Sequence, residues 1–446
     1  MQKCFSVPPM LFSLLISFAS TAISRETTFP LQISSNGRHF VDGQGYPFLY
    51  HADTGWQIFS QLTTEEAREY LLFRKNQGFN TIQTQIVMSP EQVDRYGRPP
   101  FGGDADFSRP DPAYHDHVAR VLDIADSLGL LVTMSQPWLG CCEEGFGNRP
   151  DKPIRRNGPD KNRKYGEYLG RKFSRFNNLF WIIGGDNDPK GDLKEIVAFA
   201  EGLRAAAPKH QLLTYHASAS HSSTDLFHYA DWLGFSMVYT YWRDKPGEWV
   251  NPEQMPEVYE VCLREYNKSH VMPFILGEAQ YEGFTGNDIG TPFQVRRQPY
   301  WIMLCGGAGH AYGSELWNFP ANWREIMLYP GAGQLRHFID FFSALPWWML
   351  VPDQRHRVVV AGYGEYMKTD YVTTAVSEDS KLLVSYLSQR QTLVADLSKL
   401  HGGTKTARWF DPRNGQYRDV PNISPNALNQ FTPPSNEDWV LLVKSK

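Results

Sequence analysis

The sequence predicts an α/β chain, a (β/α)8 TIM barrel followed by a small C-terminal β-sandwich, and three observations carry that prediction. From residue 45 to about 345, short apolar, β-branched or aromatic runs alternate with segments of helical spacing, the pattern of a parallel sheet with helical crossovers. Eight such runs can be counted, and no GxGxxG fingerprint follows the first, which favours a closed barrel over an open doubly wound sheet. Past Pro346 the texture changes to short β-rich runs divided by turn residues.

Taken in order, the candidate strands are residues 46–52, 80–87, 130–136, 179–184, 211–216, 232–239, 273–277 and 309–315. The first helix opens at Thr63-Thr64-Glu65-Glu66, a hydroxyl cap before acidic first-turn residues that suit the positive end of a helix. Further helical segments are expected over about 113–128, 160–176, 190–206, 252–269, 292–305 and 331–345, while 217–231 is short and only weakly helical. Beyond Pro346, runs at 357–360, 371–376, 382–387, 391–396, 407–410 and 439–443 are strand-like, with a turn signal at Asp411-Pro412-Arg413-Asn414-Gly415. The chain is therefore divided into a leader at 1–24, a barrel at 25–349 and a β-module at 350–446.

The leader has Lys3 in a short opening segment, an apolar stretch around Leu11 to Phe18, and Ala19, Ser20 and Ala22 before Arg25. That is the layout of a Sec signal peptide, too short to span a bilayer, so the expected mature protein is exported, periplasmic or secreted, without membrane insertion. Cys4 lies in its opening segment, which gives no support for a lipid-anchored cysteine. Of the other cysteines, Cys141 and Cys142 are vicinal, and they either pair in a strained ring or remain inert; with Cys262 and Cys305 they are too few for a disulfide framework. With 44 basic and 48 acidic residues the net charge is −4, and no long run of one sign invites nucleic acid or an anionic membrane surface. No CxxC, HExxH or clustered-His motif calls for a metal, and no cofactor is expected.

Two strings carry chemistry: WIIGGDNDP with Asp186 at its turn, and FILGEAQYEG with Glu278. Each is an apolar strand that ends on an acid, and in a barrel of this kind the strand C-termini form the working rim. Hydrolysis of a glycosidic bond with retention uses two carboxyl groups about 5–5.5 Å apart, one to protonate the leaving oxygen and one to attack the anomeric carbon. Asp186 read alone is also a candidate N-cap for the helix near Lys190, and Glu278 a candidate for a buried ion pair. Together at two strand ends of one barrel, they read as the catalytic pair of a glycosidase.

Around them, Trp138 after the third strand and Trp317 after the eighth are either apolar walls for a sugar ring or core residues. Tyr239 ends the sixth strand, placed to orient Glu278 or to bond buried backbone. Asp53 and Trp56, in YHADTGW, end the first strand, where the Asp binds sugar hydroxyls or holds the floor of the site. His216 at the end of the fifth strand, Gln85 on the second and Asn187 beside Asp186 complete the candidate substrate contacts, a lone His being more often structural.

The strings YHADTGWQIF, EEAREYLLFRKNQGFNTIQ, WIIGGDND, ILGEAQYEG and PYWIMLCGGAGHAYGSELWNF, continuing through LPWWMLVPD, resemble the DUF4038 apiosidase-like catalytic domain, glycoside hydrolase family 140. The resemblance spans roughly residues 30–353. It implies a retaining (β/α)8 hydrolase in which the Asp of GGDN, here Asp186, is the acid/base and the Glu of GE, here Glu278, the nucleophile. It also implies release of a β-linked pentofuranose such as apiose from pectic oligosaccharides of the rhamnogalacturonan-II type. The common pattern of barrel glycosidases is a strand-four Glu preceded by Asn, from which this chain departs with an Asp preceded by Gly. Residues 350–446 resemble the module that accompanies this domain and carries a collagen-binding label by association, read here as packing support or one wall of the cleft. The same barrel acting on another furanoside or a hexopyranoside, and a non-catalytic carbohydrate-binding protein, are the alternatives.

Overall fold

The computed structural model describes residues 25–141, 143–241, 257–283 and 290–446. The leader at 1–24, Cys142 and the start of the expected 252–269 helix lie outside the described residues.

Eight parallel strands form the barrel: β1 Tyr50–Thr54, β2 Thr81–Gln85, β3 Leu131–Ser135, β4 Leu179–Gly184, β5 Leu213–His216, β6 Ser236–Tyr239, β7 Phe274–Glu278 and β8 Gly309–Ser314. Neighbours pair in sequence from β1 to β5, β8 pairs both β1 and β7, β7 pairs β6, and a parallel bridge from Leu213 to Leu233, just ahead of β6, closes the ring. The helices on the outside are α1 Thr64–Asn76, α2 Pro112–Ser127, α3 Pro153–Lys172, α4 Leu193–Ala206, α5 Val258–Tyr266, α6 Pro292–Leu304 and α7 Pro330–Ser343. The cap at Thr63 is a full capping box: Glu66 N donates to Thr63 Oγ1 and Thr63 N to the Glu66 carboxylate at 2.9 Å.

Alternation along the strands sets the two faces. On β4, Phe180 and Ile182 join the barrel interior with Tyr50, Ala52, Met237 and Ile275, while Trp181 and Ile183 pack under the helices. A three-stranded antiparallel sheet, Gln32–Ile33, Phe40–Val41 and Pro47–Phe48, plugs the lower end, with Phe40 meeting Phe180 and Phe235, each at 5.5 Å between centroids. The expected first strand at 46–52 is thus two pieces: Pro47 and Phe48 belong to the plug, and the barrel strand starts at Tyr50.

The module contributes β9 Leu350–Pro352, β10 Val359–Ala361, β11 Thr373–Ser377, β12 Leu382–Leu387, β13 Leu393–Asp396, β14 Lys405–Phe410, β15 Tyr417–Val420, β16 Leu428–Phe431 and β17 Trp439–Ser445. A six-stranded sheet (β9-β11-β12-β17-β14-β15) faces a three-stranded one (β10-β13-β16), and Leu383, Trp409 and Leu441 of the first share a core with Val359, Leu393 and Phe431 of the second. Burial of Arg296 against Asp438, with both carboxylate oxygens engaged at 3.0 and 2.6 Å, and the stack of Tyr300 on Tyr386, 4.9 Å apart, fasten the module to α6.

Candidate active site

A pocket of about 620 Å³ opens at the C-terminal rim of the barrel, and both acids singled out in the sequence line it. Asp186 reaches it through three residues in succession with positive φ: Gly184 at 75°, Gly185 at 147° and Asp186 at 62°. Only glycine takes the middle conformation comfortably, and a Cβ there would stand 2.1 Å from Cδ1 of Trp138. Asp tolerates the left-handed region better than most residues, so the turn costs little where the acid itself sits. Asp186 is not the helix cap that its neighbourhood allowed, because α4 starts later and its N-cap is Asp192.

Glu278 arrives by a different device. On β6 and β7, Val238 pairs with Leu276 but Tyr239 pairs with Glu278, so the register skips Gly277. This bulge turns Glu278 to the pocket side although Leu276, two residues earlier, packs outward.

One oxygen from each acid and Nε2 of His216 lie within 4.8 Å of one another. His216 Nε2 is 3.3 Å from Glu278 Oε2 and 3.8 Å from Asp186 Oδ1. Its ring is almost wholly buried, parallel to Trp56 and edge-on to Tyr239 at 4.9 Å. Burial pushes the imidazole pKa down to about 3, so it stays neutral and faces the carboxylates as an uncharged polar group rather than a counter-ion, its buried Nε2 without a hydrogen-bond partner among the described residues. Asp186 is pushed up to about 6, chiefly by burial and in lesser part by the charge of Glu144, against a lowering from the Trp138 indole N–H, which donates to Oδ2 at 3.0 Å.

Two carboxylates and an imidazole are also donors for a transition metal, although no metal-ligand spacing marks them in the chain. The widest spacing, 4.8 Å, exceeds the ~3.4 Å between neighbouring ligands of a tetrahedral zinc site, so the acids would have to close inward to share one ion.

Of the expected substrate contacts, Trp56, Gln85, Trp138, His216, Tyr239 and Trp317 line the pocket. Asp53 does not. It alternates with the inward Ala52 and so faces the helices, fully buried, where Arg74 Nε donates to it at 2.9 Å and Tyr70 donates to the same oxygen. Asn187 is also outside the lining; its amide donates to the Gly140 carbonyl, and its own carbonyl accepts from Tyr215 Oη at 2.7 Å, which ties the acid-bearing turn to the loop after β3. The Tyr239 hydroxyl shares a hydrogen bond with that of Tyr241 at 2.8 Å.

Several lining residues escaped the sequence reading: Glu144, Tyr241, Gln280 and Tyr281. Tyr281 accepts a hydrogen bond from Trp56 Nε1 at 2.6 Å and so fixes that wall. Its place in EAQYEG, three residues past Glu278, was the available signal. Glu144 follows the vicinal cysteines in CCEEGFG, where only the glycines hint at a loop folded back on the rim.

Comparison with known proteins follows the same division. The family described as "Apiosidase-like, catalytic domain" matches residues 34–349, and "Putative collagen-binding domain of a collagenase" matches 351–444. Among solved structures, one titled only "Glycoside hydrolase" superposes with a TM-score of 0.82 at 23% identity, covering 94% of this chain and 99% of the other. A glycoside hydrolase family 5 structure from Bacteroides vulgatus ATCC 8482 gives the same TM-score of 0.82 and 23% identity, with 94% and 95% covered. No curated protein sequence matches the chain. At these identities the structural likeness speaks for the fold.

Proposed function

Because the chain belongs to the family of apiosidase-like catalytic domains and is a glycoside hydrolase, we propose that it releases a β-linked pentofuranose such as apiose from pectic oligosaccharides of the rhamnogalacturonan-II type, with retention. Asp186 is the acid/base and Glu278 the nucleophile. The observation that carries this reading is the approach of the two carboxylates to within 4.8 Å across the pocket. That approach favours direct attack, for which the carboxyl groups stand about 5–5.5 Å apart, over inversion, which takes about 6.5–9.5 Å to admit a water between them.

In the first step Asp186, still protonated below about pH 6, gives its proton to the glycosidic oxygen while Glu278 attacks the anomeric carbon. The bond to the leaving alcohol breaks and a glycosyl ester forms on Glu278. The Trp138 N–H then stabilises the Asp186 anion. In the second step that anion takes a proton from water, the water oxygen bonds to the anomeric carbon, and the ester releases Glu278. His216, kept neutral by burial, stands with Nε2 3.3 Å from Glu278 Oε2, close enough for a small movement to give that oxygen a hydrogen bond between the two steps. Trp56, Trp138 and Trp317 give the apolar walls. Export by the leader at 1–24 would bring the enzyme to its polymer.

The test is incubation with apiose-bearing pectic fragments, beside Asp186→Ala and Glu278→Gln, with the released sugar identified by chromatography and its first-formed anomer by NMR. Apiose of retained configuration from the wild type and none from Glu278→Gln supports the reading. Hydrolysis that persists in a folded Glu278→Gln protein removes the nucleophile, and an inverted product removes the mechanism.

A further inference from the structure

A second cavity, of about 320 Å³, lies at the opposite end of the barrel, on the seam with the module. Its barrel walls lie at the end where the strands begin: the turn that holds Asn36 and Arg38, Tyr266 at the end of α5, Val271 ahead of β7, and Met303, Gly306 and Gly307 ahead of β8. The module side is the segment 347–351, from the LPWWMLVPD string, and Glu378 from the turn after β11.

The groups on this wall are set up for a ligand. Trp348 leaves 38% of its surface in solvent, flanked by Val271 at 41% and Val351 at 38%, an apolar shelf left open beside a cavity. Trp348 in turn packs edge-on against the buried Trp347, which holds it from below at 6.2 Å. The Arg38 guanidinium lies 4.1 Å above the Tyr266 ring and gives Nη1 to the Tyr266 carbonyl at 2.9 Å, so its orientation is fixed. Yet among the described residues no carboxylate comes within 4.0 Å of it. Asn36 spends its side-chain oxygen inside its own turn, accepting from Ser34 Oγ at 2.7 Å and from Arg38 N at 3.0 Å, which leaves its NH2 as the outward donor.

We propose that this cavity is a second saccharide site, holding a uronate-bearing stretch of the glycan whose bond is cleaved at the other end of the barrel. The indole shelf takes the apolar face of a sugar ring, and the fixed guanidinium takes its carboxylate in a fork. The Asn36 amide and the Glu378 carboxylate serve ring hydroxyls as donor and acceptor. Arg38 offsets the single carboxylate of a uronate ring, whereas a phosphate, with more charge, would leave a larger excess of negative charge beside Glu378. The proposal rests on the glycosidase reading for the identity of the polymer, and not for the binding itself.

The experiment uses the full chain carrying Glu278→Gln, so that turnover is not required, titrated calorimetrically with a hexamer of α-1,4-linked galacturonate and with neutral xylohexaose. Adding Trp348→Ala, at a half-exposed position that should leave folding intact, is expected to weaken binding of the acidic hexamer by about tenfold. Adding Arg38→Gln is expected to remove the preference for the acidic over the neutral hexamer, with melting temperature followed in both. Trp138→Ala, in the catalytic pocket, is expected to leave the effect of Trp348→Ala in place. Equal affinities for parent and both seam variants, or no binding of either hexamer by a protein with the seam intact, overturn the proposal. Seam binding together with an inactive wild-type enzyme would instead sink the catalytic reading and leave this one standing.

Discussion

Trp138→Phe separates the electrostatic reading of Asp186 from a merely steric one. The substitution keeps an aromatic wall but removes the indole N–H that donates to Asp186 Oδ2 at 3.0 Å. A hydrogen bond to a charged group is worth about 1.5–3 kcal/mol, which corresponds to about one to two pKa units. The bond favours the anion, so losing it lets the proton stay on to higher pH. From a starting value of about 6, the variant acid is expected to titrate between about 7 and 8. A general acid must be protonated to act, so the high-pH limb of kcat/KM moves in the alkaline direction by that amount. The assay is kcat/KM for an aryl glycoside with a poor leaving group, measured between about pH 4 and pH 9, because only a poor leaving group makes protonation limiting. A limb that stays near 6, or moves to lower pH in a folded variant, refutes the assignment of that limb to Asp186.

Glu144→Gln acts in the other direction: its charge helps to raise Asp186, so removing it lowers the limb, by less than about half a unit because the side chain is exposed and screened, and high salt applied to the wild type should mimic the change. His216→Gln should lower kcat more than it raises KM, by about tenfold or more, since the imidazole faces the two acids; a change confined to KM would return it to the role of sugar contact. Gly185→Ala puts a Cβ into the Trp138 ring at a φ of 147°, and is expected to cost about 1–3 kcal/mol in denaturant titration and to lower activity with it. Arg74→Met leaves Asp53 buried with the Tyr70 hydroxyl but without its cation, at about 3–5 kcal/mol. Burial holds the Asp53 pKa up in the folded state, so the deficit in melting temperature should shrink as pH falls and the carboxyl takes a proton; a deficit independent of pH would mean that Arg74 acts through packing alone.

The barrel was legible because its eight strands are buried almost throughout and several of them, Leu179–Gly184 above all, are continuous apolar runs that stand out against amphipathic helices, while Tyr50–Thr54 and Thr81–Gln85 bury polar side chains as well. Boundaries drifted where a run continued past the ladder. Ile86 and Val87 are buried beyond β2, and Trp232 and Leu233 are buried ahead of β6, so composition alone could not mark where pairing stopped. In the module most of the expected strands match buried segments, whereas Tyr417–Val420 and Leu428–Phe431 went unseen because five of their eight residues are exposed and half carry charged or amide side chains. A strand at a sheet edge needs only its backbone partner, and leaves little hydrophobic signal.

The site was legible as a pair of acids and illegible as a geometry. In a strand, side chains alternate with a period of two, and that rule sorts most of the rim correctly: Tyr50 and Ala52 point in, so Asp53 must point out to Arg74, a conclusion available from the sequence had the strand been started at Tyr50. Applied to β7, the same rule fails. Ile275 is interior and Leu276 exterior, which would send Glu278 outward with Leu276. The skipped register at Gly277 reverses it, and only a glycine gives room there, since a Cβ would stand 2.5 Å from the Met237 side chain. On β4 the three positive-φ residues perform the equivalent service for Asp186, and they also answer the short side chain: an Asp in this position reaches Glu278 because the backbone, rather than an extra methylene, covers the distance. Both departures from regular strand geometry therefore involve a glycine immediately before a pocket-lining acid, and GGD and GE are the sequence marks of where the barrel leaves its own periodicity to build a site.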